Sequence, residues 1–173
     1  QVNPNMPRTC GDSLIHVRNL DVLVPSEQPL IEVAAPAPDD ETRRIGENIA
    51  SLIEDGSTLE IGIGSIPQAA LGFLKERKNL GIHTEMFTDT LMDLVETGAV
   101  DGNHKALDRN RVVASFCMGT RKLYDYVDNN PAFAFNATEY VNDPFVIGQQ
   151  RKMVAINVAE EIDLTGQVCA DSL

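Results

Sequence analysis

An open, largely parallel α/β sheet with helices on both faces is the fold class that this sequence predicts. Two observations lead there. Strand-like and helix-like segments alternate from residue 58 onward. The strand segments are also rich in β-branched and apolar residues, as strands covered on both faces are. At 173 residues the chain is long enough for one core of ordinary size.

Residues 14–24, "LIHVRNLDVLV", read as two short β runs joined around Asn19. "PSEQPLIEVAAPAP" then places four prolines in fourteen residues. Proline fixes φ and removes a donor, so this stretch reads as an extended linker and a domain boundary, dividing residues 1–38 from 39–173. "DDETRRIGENIASLIEDGS" carries helix signals at both ends: Asp39 or Asp40 as the cap, and Gly56 as the left-handed stop. Ile45, Ile49, Leu52 and Ile53 fall on one helical stripe, expected to be buried.

Beyond it, "TLEIGIG", "GIHTE", "RVVASFCMG" and "KMVAINV" read as strands, with a weaker one near "GQVCA". "IPQAALGFLKERK", "DTLMDLVETG" and "TRKLYDYVDNN" read as the intervening helices. The chain opens at Gln1 in what reads as mid-loop and stops just after an apparent strand, so a piece of a longer protein is expected.

Composition narrows the function classes. A net charge of −12 argues against a nucleic-acid backbone as partner, because such binding needs clustered Lys and Arg. No apolar run approaches the ~18 residues of a membrane span, and no signal pattern opens the chain. Cys10, Cys117 and Cys169 are odd in number and far apart, which fits reduced thiols in a cytoplasm. They form no metal-type CxxC, and His16, His83 and His104 are scattered, so no metal site is expected.

Two segments could carry chemistry. In "TLEIGIGSIPQAAL", Gly62 and Gly64 occupy a strand-to-helix turn with Pro67 just inside the helix. Ligands of open α/β sheets bind at such turns, where glycine lets them approach the backbone. The same turn could equally be a tight connection with nothing bound, and the third glycine of the dinucleotide fingerprint is absent. In "LGIHTEMFTD", Glu85 is expected at the end of the next strand, on the same sheet edge. Beside Met86 and Phe87 its carboxylate would be partly desolvated, which raises both pKa and nucleophilicity. Alternatively, Glu85 caps the helix that begins near Asp89. Arg121 and Lys122, in a first helical turn, invite an anion or are simply exposed. Asp171 and Ser172 follow a strand and could face the same crevice.

Taken together, "GDSLIHV", "SLIEDGSTLEIGIGSIPQAAL" and "LGIHTEMFTDTLMDLVETGAV" resemble the acetyl-CoA hydrolase/CoA-transferase family, most closely its 4-hydroxybutyrate and butyrate:acetate CoA-transferase members. "MGTRKLYDYVDNNP" and "INVAEEIDLTGQVCADSL" fit the same family, so the resemblance runs through essentially the whole chain. It implies a fragment of a two-domain enzyme of bacterial type, with the closing strands of the first domain in 1–38 and the start of the second domain in 39–173. It implies that Glu85 is the nucleophile, taking CoA from an acyl-CoA as a glutamyl-CoA thioester and passing it to a small carboxylate. It also implies that Gly62, Ile63, Gly64, Ser65 and Ile66 contact CoA, and that CoA is a substrate rather than a permanently bound cofactor. A homo-oligomer is implied for the full-length protein. Family members vary between Asp and Glu at the position of Asp171, so no catalytic role is carried over to it. Acyl-CoA hydrolysis through the same glutamate is the nearest alternative. A nucleotide-binding module is the more distant one, with Glu85 about twenty residues past the glycine turn, where such modules hold a ribose.

Overall fold

The computed structural model describes residues 1–35 and 37–170. Five strands form its centre: β1 Thr58–Ile61, β2 Gly81–Phe87, β3 Val112–Cys117, β4 Phe133–Phe135 and β5 Met153–Ile156. Their order is β4-β3-β2-β1-β5, and every pairing is parallel. A two-residue antiparallel pair, β6 Glu161–Ile162 with β7 Val168–Cys169, follows.

Alternation along the strands divides the core between two faces. Leu59, Ile61, Ile82, Val112, Ala114, Phe133 and Phe135 pack with residues of α1 Asp40–Ser51, α2 Ser65–Leu71, α3 Asp89–Glu96 and α4 Arg121–Val127. Val113 and Ala134 point the other way and meet Val141 of α5 Thr138–Val141. His83 ties α5 down: its Nε2 lies 2.8 Å from the Val141 carbonyl, and its Nδ1 lies 3.4 Å from Gln150 Nε2. That pair of partners selects the neutral ring with the proton on Nε2. Burial also holds the His83 pKa below its ordinary value. A last short helix, α6 Pro144–Ile147, leads back to β5. The expected parallel sheet with helices on both faces is what forms. Among the described residues no helix is long and apolar enough to cross a membrane.

Several elements differ from the sequence reading. Residues 14–24 form no strand, only a 3-10 turn at Val17–Asn19, and Leu14, Ile15, Val17, Val22, Leu23 and Val24 are all more than half exposed. A strand needs a partner ladder, and the described residues supply only an isolated bridge at the end of this stretch, Val2 to Pro25, with Val2 N donating to Val24 O at 2.8 Å. The stripe assigned to α1 is also rotated. Ile53 is buried and Ile49 packs against the core as expected, but Ile45 and Leu52 are exposed, and Gly46 and Ala50 are buried instead. A Cβ at Gly46 would sit 2.9 Å from the backbone of Ala69 and Ala70, so α1 and α2 meet through their small residues. Helix α1 starts on the expected Asp39 cap, whose carboxylate accepts from Thr42 N at 2.8 Å. It ends before Gly56, whose φ of +77° serves a later turn.

Helix α2 stops at Leu71, well short of the 66–78 expected. The N–H groups of Gly72, Phe73 and Leu74 each bond three residues back, unwinding the helix. Strand β4 and the short helices α5 and α6 were not read from sequence at all.

Helix α4 is capped by residues distant in sequence. Asp89 accepts from Thr120 N (2.9 Å) and Thr120 Oγ1 (2.6 Å), and Glu32 accepts from Arg121 N (2.8 Å). Arg121 pairs with Asp125 and Lys122 with Glu96. The charge of this first turn is therefore balanced by the chain's own carboxylates, and no bound anion is needed to explain it.

Candidate active site

Strands β2, β3 and β4 succeed β1 in one direction across the sheet, and β5 returns on its other side. The order therefore reverses at β1, and the crevice at the carboxyl ends of β1 and β5 is where open α/β sheets take ligands. A hollow of about 320 Å³ lies there, lined by Glu60, Gly62, Ile63, Glu85, Met86 and Asn157, among others. The two sequence candidates, the Gly62 turn and Glu85, thus share one hollow at one sheet edge.

A local departure from sheet pairing opens it. Strands β1 and β2 pair at Thr58–Gly81 and Leu59–Ile82. Beyond that point Ile61 N donates to the Thr84 side-chain oxygen at 3.0 Å rather than to a backbone carbonyl. The Thr84 hydroxyl lies 3.2 Å from Ile61 O and can return a bond to it. A buried threonine thus replaces a rung of the ladder where the two strand ends flank the hollow, and the backbone polar groups stay satisfied.

Glu85 lies inside β2, not at its end, because β2 runs on to Phe87 against β3, pairing Met86 with Phe116 and Phe87 with Cys117. The residue is half-buried, between the fully buried Thr84 and the nearly buried Met86. Capping of α3 falls to Thr88, whose side-chain oxygen accepts from Leu91 N, so the cap alternative for Glu85 does not hold. Thr88 also donates to Gln68 Oε1 at 2.8 Å, joining the starts of α2 and α3.

The five residues of the glycine turn separate. Gly62 is buried, and a Cβ there would run into Asn157 Oδ1 and lie 2.8 Å from Ile156 O. Gly64 has φ +135° and ψ 169° and caps α2 without a side-chain bond. Ile63 is 68% exposed and stands between the hollow and a second, apolar cavity of about 350 Å³, which Gly64, Ser65, Gln68, Met86 and Met118 also line. Ile66 is half-buried in the first turn of α2. Both glycines are thus required by the fold itself, Gly62 by the close approach of β5 and Gly64 by its dihedral. Gly64→Ala should therefore lower stability by about 1–3 kcal/mol whether or not anything binds. The shift in unfolding midpoint measures this, and an unshifted midpoint would show that the turn relaxes.

Sequence reasoning missed Glu60 and Asn157. Asn157 Nδ2 donates to Glu60 Oε2 at 2.9 Å across the mouth of the hollow. The Glu60 pKa is pushed up, chiefly by burial, with the Glu85 charge adding and the Asn157 bond opposing. The signal was present as a lone acid two residues before Gly62 in an otherwise uncharged strand. Asp171 and Ser172 lie outside the described residues.

Comparison with known proteins agrees with this fold. Residues 119–173 match the acetyl-CoA hydrolase/transferase C-terminal domain. The chain is 51% identical to the 4-hydroxybutyrate coenzyme A transferase of Clostridium kluyveri, over all of this chain and 40% of that protein. It is 49% identical to a succinyl-CoA:acetate/propanoyl-CoA:succinate CoA transferase of Fasciola hepatica, over all of this chain and 36% of that protein. Among solved structures, the 4-hydroxybutyrate CoA-transferase of Porphyromonas gingivalis superposes with a TM-score of 0.90 at 46% identity, covering 96% of this chain and 42% of that one. RipA from Yersinia pestis superposes with a TM-score of 0.91 at 39% identity, covering 98% and 39%. The chain thus spans about 40% of the length of the first of these relatives. With sequence and fold in agreement over essentially every residue, the chain belongs to the acetyl-CoA hydrolase/CoA-transferase family.

Proposed function

We propose that the chain supplies the nucleophile of a CoA-transferase that moves CoA between an acyl-CoA and a small carboxylate. The observation that carries this is Glu85, held by β2 in the switch-point hollow beside Gly62, with no capping duty to explain it. A carboxylate there can attack the acyl-CoA carbonyl, giving a mixed anhydride and CoA thiolate. The thiolate then attacks the glutamyl carbonyl, leaving Glu85 as its CoA thioester and releasing the first carboxylic acid. An incoming carboxylate reverses these steps. Thioester and anhydride are both activated acyl groups, so the exchange proceeds without ATP.

On this reading Gly62 to Ile66 run alongside CoA. The apolar cavity across Ile63 and Met86 has a volume within the ~300–1,000 Å³ of small-molecule sites and suits an apolar part of an acyl-CoA. On this reading the relatives' remaining length supplies the other wall of the site, no cofactor is resident, and the full-length protein is a cytoplasmic homo-oligomer.

The test is to treat the full-length protein with butyryl-CoA, trap with borohydride and locate the modification by mass. Reduction at Glu85 is the expected result. An intact Glu85 together with no CoA release or transfer would point instead to a nucleotide-binding module.

A further inference from the structure

Glu60 has no part in the steps above, yet it is the only charged residue in β1, and Thr58, Leu59 and Ile61 around it are buried. Strand alternation puts it on the sheet face opposite Leu59 and Ile61. The last β1–β2 pair, Leu59 with Ile82, comes just before it. Beyond that pair Glu60 and Glu85 turn to the same hollow, together with Glu160 from the segment after β5. Asn157 holds the Glu60 carboxylate from the β5 side at 2.9 Å. A half-buried, oriented carboxylate facing a nucleophile is placed to handle a proton.

We propose that Glu60 is a general base that directs water onto the glutamyl-CoA thioester and so sets the share of hydrolysis against transfer. The inference rests on Glu85 carrying that thioester. A water oxygen attacks the Glu85 carbonyl carbon while the Glu60 carboxylate takes one water proton. The C–S bond then breaks and sulfur leaves with the electron pair as CoA thiolate. The proton held by Glu60 passes to the thiolate, and Glu85, released as a carboxylic acid, ionises. No other reactant is consumed.

Charge favours this timing. While Glu85 is a carboxylate, its charge opposes ionisation of Glu60. Conversion to the thioester removes that charge, so Glu60 becomes a more fully ionised base when there is an ester to hydrolyse. An acceptor carboxylate entering the hollow is repelled by Glu60 and Glu160, whereas water is not.

Glu60→Gln keeps the shape and an acceptor for Asn157 but removes the base. In the full-length protein, butyryl-CoA hydrolysis without acceptor, read as CoA release, should fall at least about tenfold. Transfer to acetate should fall much less than hydrolysis, so the hydrolytic share of CoA turnover drops. Equal losses in both reactions, unchanged hydrolysis, or no hydrolysis in the unsubstituted protein would each overturn the proposal. If Glu60→Gln does not fold, Asn157→Ala releases the carboxylate without removing its charge, and an unchanged hydrolytic share there also overturns it. Borohydride labelling of Glu85 keeps the two readings apart. Label with an unaltered partition removes only the role of Glu60, whereas absence of label in the unsubstituted protein removes both.

Discussion

Glu85→Gln in the full-length protein is expected to lower CoA transfer by about a thousandfold or more, equivalent to about 4 kcal/mol of barrier. Glutamine keeps the shape of the side chain and removes the attacking carboxylate. Stability should hardly fall, because α3 is capped by Thr88 and loses nothing. It can rise, since the substitution removes a charge that faces Glu60. Glu85→Asp is the sharper variant. It keeps the charge but withdraws the carboxylate by one methylene from a site fixed by the β2 backbone, and attack depends on placement at the ångström level. Transfer should be badly impaired here too. An aspartate variant with near-normal turnover would sink the assignment, as would a glutamine variant that lost stability instead of activity.

Strands β1, β2, β3 and β5 could be read from the sequence because each is a run of β-branched or apolar residues set between helix-like segments. Strand β4 could not. "FAF" is three residues long, and its pairing with β3 and with the backbone around Gly11 comes from distant parts of the chain. The rotated stripe of α1 shows a different limit. Periodicity marks which residues are apolar, but the face that packs was chosen by how closely two backbones approach. Gly46 and Ala50 permit that approach where Ile45 and Leu52 do not.

For the site, Glu85 and the glycine turn were visible because carboxyl ends of neighbouring strands share an edge. The glycines have reasons in the fold itself, whether or not a ligand also approaches them. Gly62 makes room for Asn157, and Gly64 has a dihedral that side chains disfavour. Glu60 was passed over because a single acid in a four-residue strand has no motif. Only the fold brings it to Glu85 and Asn157, ninety-seven residues apart in sequence in the latter case.

The largest stability effect expected to depend on pH belongs to Lys105, which is only 2% exposed. Its Nζ donates to Ile82 O and Arg111 O, each at 2.9 Å. A neutral amine has two N–H groups for those two carbonyls, so losing the proton costs neither bond. The charged form is penalised by burial, partly offset by Asp108, and the pKa is pushed down to about 8 from 10.5. Between those values the unfolded chain binds more protons than the folded one, so stability rises with pH through that window. The penalty is fully present below pH 8 and relieved above 10.5, a change of about 3 kcal/mol. Lys105→Met keeps the length of the stem but cannot titrate. The unfolding free energy of the unsubstituted protein minus that of Lys105→Met should therefore grow by about 3 kcal/mol between pH 7 and 10.5. Chemical denaturation of both proteins across that range measures it, and the subtraction removes the titration of the other lysines and tyrosines. A difference that stays flat would mean that Lys105 titrates alike in the folded and unfolded chains. A difference that shrinks as pH rises would mean that its charge is stabilised where it lies, with Asp108 outweighing burial.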